Sequence, residues 1–207
     1  MTHQINAIIF DLGNVLVGWD AFLLYKRFFP DRETVDRFLE EIRFLEWNAK
    51  QDAGRPFKEG VAELSNQFPH YSELIQAYDT YWEESLTEPY YESIEIVHAL
   101  KDAGWRLYLL SNFSLEKFKL IEHKYPVLEC FDLKIISGEQ KTVKPEAEIF
   151  HITLQKIGRK AEECLFIDDS LPNIETAGQL GFQTIHFQSP TQLRQDLITL
   201  GIKGITS

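Results

Sequence analysis

Short apolar segments recur between helical stretches in this chain of 207 residues, and polar residues follow most of them. The first segment, 7–10, reads Ala-Ile-Ile-Phe, which is typical of a central strand covered on both faces. Four similar segments follow after a long interruption, with helical spacing of apolar residues between them: 105–110, 131–136, 164–167 and 183–187. This alternation predicts an α/β fold whose core is one mostly parallel, Rossmann-like sheet of five strands.

The interruption covers residues 18–87 and carries only helical patterns. Capping residues and prolines mark the helix starts and predict four helices, at 21–29, 31–52, 56–68 and 71–86. Short connections between four helices favour a small bundle. We therefore expect two domains, a core formed by residues 1–17 and 88–207 and an inserted helical domain formed by residues 18–87. The last residues, 201–207, are expected to fray.

Composition excludes several classes of protein. The formal net charge is −11 and no dense cluster of Lys or Arg interrupts it, so neither nucleic acid nor an anionic membrane surface is an expected partner. Cys130 and Cys164 are not paired in a Cys-x-x-Cys motif and lie beside large apolar residues, which favours buried, reduced thiols. We expect neither an export signal nor a membrane-spanning segment, and a cytoplasmic protein is the expectation. No pattern predicts the oligomeric state.

Polar residues follow the predicted strands at points where parallel connectivity brings them to one edge of the sheet. Each could also cap a turn or helix when taken alone, and Lys141 competes with Lys144 as the lysine of such a site. Together, however, they form a group of carboxylates, a hydroxyl, an amide and an ammonium that chemistry could use: Asp11, Ser111, Asn112, Lys144, Asp168 and Asp169.

Four segments of this group, in this order, resemble the motifs of the haloacid dehalogenase (HAD) superfamily. Residues 8–11 (Ile-Ile-Phe-Asp) resemble motif I and 109–112 (Leu-Leu-Ser-Asn) motif II, while Lys144-Pro145 resembles motif III and 166–169 (Phe-Ile-Asp-Asp) motif IV. The inserted helices resemble the C1 cap of that superfamily, a lid that closes over the site. The resemblance implies a Mg²⁺-dependent hydrolase of a small phosphorylated metabolite.

The resemblance also implies a role for each matching residue. Asp11 is the expected nucleophile, attacking phosphorus to give an aspartyl-phosphate, and Lys144 the expected cation that neutralises the phosphate. Ser111 and the backbone N–H of Asn112 are expected to bind phosphoryl oxygens. Mg²⁺ is expected to bind the carboxylates of Asp11 and Asp169 and the carbonyl of Gly13, with Asp168 as a partner of the metal's waters or of Lys144.

Gly13 departs from the family pattern, which usually has a second aspartate there as general acid and base. A positioned acid or base contributes about 10²–10⁴ in rate, so its absence limits which groups can leave. A sugar 1-phosphate needs little protonation of its leaving group, and some bacterial glucose-1-phosphate phosphatases of the superfamily have a similar Asp-Leu-Gly-Asn start. The alternatives are an L-2-haloacid dehalogenase, against which the Asp168-Asp169 pair argues, and a non-catalytic binder of phosphorylated ligands.

Residues of the inserted domain are candidates for substrate contact. Trp47 is assigned to substrate binding because an aromatic face suits a sugar, and Asn48 and Arg55 are further candidates. Packing within the helical domain is the alternative for each. Asp20 is an acid that could reach the leaving group. The other aromatic residues of this region are expected in the core of the insert: Tyr78, Tyr81, Trp82, Tyr90 and Tyr91.

Overall fold

The structure is a computed structural model that describes residues 4–205. Its strands are β1 (Ala7–Phe10), β2 (Val17–Trp19), β3 (Leu86–Pro89), β4 (Arg106–Ser111), β5 (Leu133–Ile136), β6 (Cys164–Asp168) and β7 (Gln183–His186). Its α-helices are α1 (Ala21–Tyr25), α2 (Arg32–Glu41), α3 (Phe44–Asp52), α4 (Phe57–Gln67), α5 (Ser72–Thr80), α6 (Tyr91–Asp102), α7 (Leu115–Ile121), α8 (Ser137–Gln140), α9 (Ala147–Ile157), α10 (Leu171–Gln179) and α11 (Pro190–Thr199). Short 3₁₀ turns connect several of them.

The main sheet confirms the predicted α/β fold. Its five strands are all parallel and lie in the order β5-β4-β1-β6-β7, with β1 at the centre. Phe10 at the end of β1 pairs with Leu109 on one side and Ile167 on the other. The carboxyl ends of β1, β4 and β6 therefore meet at one edge, as the sequence predicts.

Side chains of β1 alternate between two apolar layers, because successive residues of a strand point to opposite faces. Ile8 and Phe10 join the layer that also includes buried residues of α6 and α11. Ala7 and Ile9 join the other layer, with buried residues of α9 and α10. Both faces of the sheet are thus covered by helices, and the sheet edge that carries the polar residues is left as the place for a site.

A two-stranded antiparallel ribbon, β2 with β3, carries the helical insertion and was missed by the sequence analysis. The helix predicted at 71–86 is wrong at its end, since Leu86 begins β3 and pairs with Trp19 of β2. Two contacts reinforce this pairing: the N–H of Asp20 donates to the carbonyl of Ser85 (2.8 Å), and the N–H of Gly18 donates to Oγ1 of Thr87 (3.0 Å). The chain enters and leaves the insertion through neighbouring strands.

The inserted helices α1–α5 pack around an aromatic core of their own. The single helix predicted at 31–52 is two helices, because Arg43 has a left-handed backbone (φ 52°) between α2 and α3. Tyr78 and Trp82 are buried in this core as predicted, whereas Tyr81 and Tyr91 are exposed. We refer to the inserted helices α1–α5 as the cap, and the limits of this domain at residues 18 and 87 remain a prediction.

The end of the chain is ordered against the core as far as it is described. Ile202 and Ile205 are buried in the apolar layer that includes residues of α6 and α11, so the expectation of fraying is wrong for residues 201–205. Residues 206–207 lie outside the described part, as do residues 1–3 of the predicted core domain. None of the helices between residues 4 and 205 combines the length and the apolar character needed to cross a membrane.

Candidate active site

Three aspartates meet at the carboxyl edge of the sheet. Asp11 follows β1 directly, Asp168 ends β6, and Asp169 comes next. One carboxylate oxygen from each lies within 4.8 Å of the others, and the side chains of Asp11 and Asp168 are buried. Buried like charges at this separation need a compensating cation.

Lys144 supplies part of that compensation. Its Nζ is 2.9 Å from Oδ1 of Asp11 and 2.6 Å from Oδ2 of Asp168, and it also donates to the carbonyl of Leu110 (3.0 Å). Burial lowers the pKa of Lys144, but the two carboxylates outweigh burial and leave its pKa above the usual value. The ammonium is therefore a fixed positive charge between two acids. Lys141, the competing candidate, has an exposed side chain after α8.

The two aspartates of motif IV differ in how much hydrogen-bonding capacity they retain. Asp168 accepts from Lys144, from the N–H of Ser170 (2.8 Å) and from Nδ2 of Asn173 (2.9 and 3.1 Å). Asp169 is partly buried and accepts from Nδ2 of Asn14 (3.1 Å). Protein donors thus occupy most of the acceptor sites of Asp168, while Asp169 keeps capacity for a cation.

The pKa of the Asp11 carboxyl is raised, mainly because burial removes it from water. Lys144 offsets part of this rise, and the neighbouring Asp168 and Asp169 add to it. The pKa of Asp169 is raised for the same first reason, and its hydrogen bond from Asn14 offsets part of the shift. The cluster therefore favours a further positive charge, because such a charge would return these carboxyls to their ionised forms.

Asn112 holds Lys144 in place through its side chain. Its Nδ2 donates to the carbonyl of Lys144 and its Oδ1 accepts from the N–H of Lys144, both at 2.8 Å. The sequence did not predict this double contact. It predicted only that the backbone N–H of Asn112 binds a phosphoryl oxygen. Ser111 is buried at the end of β4, beside the central strand that leads to Asp11. Both predicted residues therefore lie at the sheet edge that carries the carboxylates.

A cavity of about 270 Å³ lies between this edge and the cap. Core residues form one side and residues of the cap and the ribbon form the other. The core side is lined by Asp11, Gly13, Asn14, Asn112, Phe113, Ser114, Lys117 and Asp169, and the opposite side by Trp19, Leu45, Asn48, Ala49, Asp52, Phe57 and Trp82.

Trp47 does not lie on the cavity wall, which corrects its predicted place. Its indole is buried within the cap, where Nε1 donates to the carbonyl of Gly60 (2.8 Å) and the ring contacts Tyr78 edge-on. The direction of the α3 side chains decides this, since Trp47 faces the cap core and Asn48 faces the cavity. Trp47 is a packing residue.

Two other cap candidates are also engaged elsewhere. Arg55 is tied to Gln51 and Glu63 by hydrogen bonds and an ion pair. Asp20 caps α1 through the N–H of Phe22 and pairs with an arginine at the start of α2, away from the cavity that Asp11 lines.

The structure adds two cavity residues that the sequence analysis did not single out, Asp52 and Lys117. Lys117 is buried, and its Nζ donates to the backbone carbonyl and the carboxylate of Asp79 while lying 4.3 Å from the centre of the Phe57 ring. Asp52 shares one face of α3 with Asn48. The spacing of residues 45, 48, 49 and 52 shows in the sequence that they share one face of a helix. It does not show that this face lines the cavity.

The family model for haloacid dehalogenase-like hydrolases matches residues 5–181. A drimenol cyclase, drtB, of Aspergillus calidoustus is 24% identical over 200 residues, which are 95% of this chain and 37% of that protein. The chain thus spans little more than a third of that relative. A D-ribitol-5-phosphate phosphatase of Bacteroides thetaiotaomicron is 24% identical over 95% of this chain and 98% of its own length.

Solved structures give the same architecture. A HAD-like family hydrolase from Porphyromonas gingivalis superimposes with a TM-score of 0.72, at 27% identity over 97% of this chain and 98% of that chain. A HAD family enzyme from Bacteroides thetaiotaomicron, in complex with magnesium and inorganic phosphate, superimposes with a TM-score of 0.71, at 24% identity over 90% of this chain and 96% of that chain. Both likenesses cover nine-tenths or more of this chain and show its fold.

Proposed function

The chain belongs to the haloacid dehalogenase-like hydrolases, and on that basis we propose that it is a Mg²⁺-dependent phosphatase of a small phosphorylated metabolite. One observation carries this proposal. The carboxylates of Asp11, Asp168 and Asp169 lie close together beside Lys144, and Asp11 and Asp169 line the floor of a cavity that the cap covers. Such a floor suits a dianionic phosphate only if it also holds a cation.

The donors at this point fit Mg²⁺, because they are hard oxygen ligands. Asp11 and Asp169 are the direct ligands in this proposal, with the carbonyl of Gly13 as a third. Asp168 orients Lys144 instead, since its oxygens already accept from three protein groups. When bound, the ion supplies positive charge against the phosphate and favours the ionised Asp11 carboxyl.

Each remaining residue acts on the phosphoryl group. Asp11 attacks phosphorus and forms the aspartyl-phosphate, which water then hydrolyses. Lys144 offsets negative charge at Asp11 and at the phosphate. Ser111 and the backbone N–H of Asn112 bind phosphoryl oxygens as charge shifts during the attack. Asn112 also fixes the backbone of Lys144.

A sugar phosphate is the substrate class that we favour. The relative from Bacteroides thetaiotaomicron acts on D-ribitol 5-phosphate, and the small cavity with aromatic walls suits a polyol or sugar. Glucose 1-phosphate is the first candidate within this class, because Gly13 leaves the Asp11 loop without an acid and an anomeric oxygen leaves readily. We therefore expect 1-phosphates to be hydrolysed faster than 6-phosphates.

The test is a panel of sugar phosphates assayed with Mg²⁺ and with EDTA, using the wild type, Asp11→Asn and the exposed control Asp36→Asn. We expect turnover only with Mg²⁺, its loss in Asp11→Asn and its retention in Asp36→Asn. Activity that survives EDTA or Asp11→Asn would contradict the mechanism. Chloride release from 2-chloropropionate without metal would indicate a dehalogenase, and Mg²⁺-dependent phosphate binding without any turnover would indicate a binding protein.

A further inference from the structure

We propose that Asp52, the last residue of α3 in the cap, is the general acid and base that the Asp11 loop lacks. The inference rests on the proposed phosphatase function and adds a catalytic residue to it. Gly13 stands where the family usually has this acid, so a protonated group has to reach the leaving oxygen from another element. Asp52 lies on the wall of the same cavity as Asp11, on the opposite domain.

The direction of attack places the leaving group on the side of Asp52. In phosphoryl transfer the attacking and leaving oxygens lie roughly in line on opposite sides of phosphorus. Asp11 attacks from the floor of the cavity, so the leaving oxygen faces the cap. Among the described residues that line this cavity, the carboxylates are Asp11, Asp169 and Asp52, and only Asp52 belongs to the cap.

Contacts between the cap and the core hold Asp52 in this position. The hydroxyl of Ser137 in α8 donates to the backbone carbonyl of Asp52 (2.6 Å). Gly54, two residues later, has φ +97°, and a Cβ there would lie 2.7 Å from the carbonyl oxygen of Gly138. The N–H of Phe57 also donates to Oε2 of Glu116 on the core (3.2 Å). The end of α3 is thus seated on the domain that carries Asp11.

The surroundings of Asp52 allow it to hold a proton near neutral pH. Burial raises the pKa of its carboxyl to about 7, although the N–H of Ser114 donates to it and offsets part of the rise. Nδ2 of Asn48 also donates to its Oδ2 (3.2 Å). The ideal catalytic acid has a pKa close to the working pH. The other titratable or charged groups near Asp52 or on the walls of its cavity are Asp11 and Asp169 on the core, Lys117 on α7, Tyr78 on α5, Arg55 after α3 and Lys141 after α8.

The proton balance closes over two steps. In the first, a carboxylate oxygen of Asp11 bonds to phosphorus, the bond from phosphorus to the leaving oxygen breaks, and that oxygen takes the proton of Asp52. In the second, a water oxygen bonds to phosphorus while Asp52 takes a proton from the water, and the bond from phosphorus to Asp11 breaks. Phosphate leaves, and both carboxyl groups return to their starting forms. Lys117 does not fit this role, because its ammonium is paired with Asp79.

The test compares two aryl esters with Mg²⁺: p-nitrophenyl phosphate, whose leaving group needs little protonation, and phenyl phosphate, whose leaving group needs more. We expect Asp52→Asn to lower kcat/KM for phenyl phosphate about 100-fold and for p-nitrophenyl phosphate less than about tenfold. In the wild type, turnover of phenyl phosphate falls as the pH rises above about 7, since Asp52 loses its proton, and the variant lacks this fall. The exposed Glu46→Gln on the same helix is the matched control and should match the wild type.

A second variant restores the function by a different route. A Cβ on Gly13 meets no atom within 4 Å, so the backbone there leaves space for a side chain to begin. We expect Gly13→Asp, added to Asp52→Asn, to recover turnover of phenyl phosphate. In the metal-free protein, a ¹³C-detected titration of the Asp52 carboxyl should have its midpoint near 7.

Equal losses for both esters in Asp52→Asn, or an unchanged fall above pH 7, would overturn the assignment while leaving the phosphatase proposal intact. A wild type that hydrolyses neither ester would instead contradict the phosphatase proposal itself.

Discussion

Replacing Asp52 by Asn is expected to stabilise the fold at alkaline pH. Burial raises the pKa of this carboxyl from 3.8 to about 7, so the folded protein holds a proton that the unfolded chain has already released over that range. The free energy of unfolding of the wild type therefore falls, relative to that of the Asp52→Asn variant, as the pH rises from about 4 to above 7. No salt bridge between described residues includes Asp52, so the substitution breaks no ion pair.

The structure sets the size of this effect. A shift of about three pKa units corresponds to about 4 kcal/mol, since one unit is worth about 1.4 kcal/mol. Asp52 is only partly buried, and solvent screening reduces the expected gain of the variant to about 2 kcal/mol above pH 8. Near pH 4 the gain in unfolding free energy of the variant is expected to vanish. What remains is a constant difference, because the hydrogen bonds of Asn differ from those of Asp at this position.

Urea unfolding of the wild type and Asp52→Asn at several pH values between 4 and 9 measures this difference. Asp132→Asn is the control, because the pKa of Asp132 is shifted in the opposite direction. The hydrogen bond and charge of Lys101 outweigh burial and hold that pKa below its usual value. Its variant should be destabilised by an amount that does not change between pH 5 and pH 9. A gain in Asp52→Asn that does not grow with pH would refute the argument that burial protonates Asp52.

Three further variants test other parts of the account. Lys144→Ala should abolish turnover and lower the free energy of unfolding by about 3–5 kcal/mol at pH 8, because it leaves buried carboxylates unpaired. A steady-state assay measures the turnover and urea unfolding measures the stability. An active variant would contradict this prediction. Trp47→Phe should lower the free energy of unfolding by about 1–3 kcal/mol, through loss of the hydrogen bond to the carbonyl of Gly60, and leave KM unchanged. A raised KM in the assay would indicate instead that Trp47 binds the substrate. Gly54→Ala should displace α3 from the core and thereby lower kcat for phenyl phosphate more than for p-nitrophenyl phosphate. Gly158→Ala is the control, because a Cβ on Gly158 would meet no atom within 4 Å, and it should affect stability alone.

The sequence predicted the sheet and its polar edge because both depend on local pattern. The run 7–10 is apolar at every position, which identifies a central strand, and parallel connectivity then brings Asp11, Asp168 and Lys144 to one edge. The exact partners were not predictable. The double contact between Asn112 and Lys144 depends on the backbone path between β5 and α9, which no short-range pattern encodes.

The cap was less predictable, because its structure depends on contacts between distant residues. Leu86 follows a helical pattern, yet it lies in a strand because β2 offers it a pairing partner. Trp47 and Asp52 both lie on α3, but which of them meets the cavity depends on how the helix is rotated against the core. Local spacing gives the faces of a helix, whereas packing decides which face is buried in the cap and which meets the cavity.

Covalent phosphorylation of Asp11 is the central claim, and rapid acid quenching tests it most directly. The enzyme is mixed with Mg²⁺ and p-nitrophenyl phosphate, quenched within the first turnover, digested and analysed by mass spectrometry. The account predicts one phosphoryl group on the peptide that contains Asp11, absent from Asp11→Asn. Turnover by the wild type with no phosphorylated peptide, together with turnover by Asp11→Asn, would contradict the account.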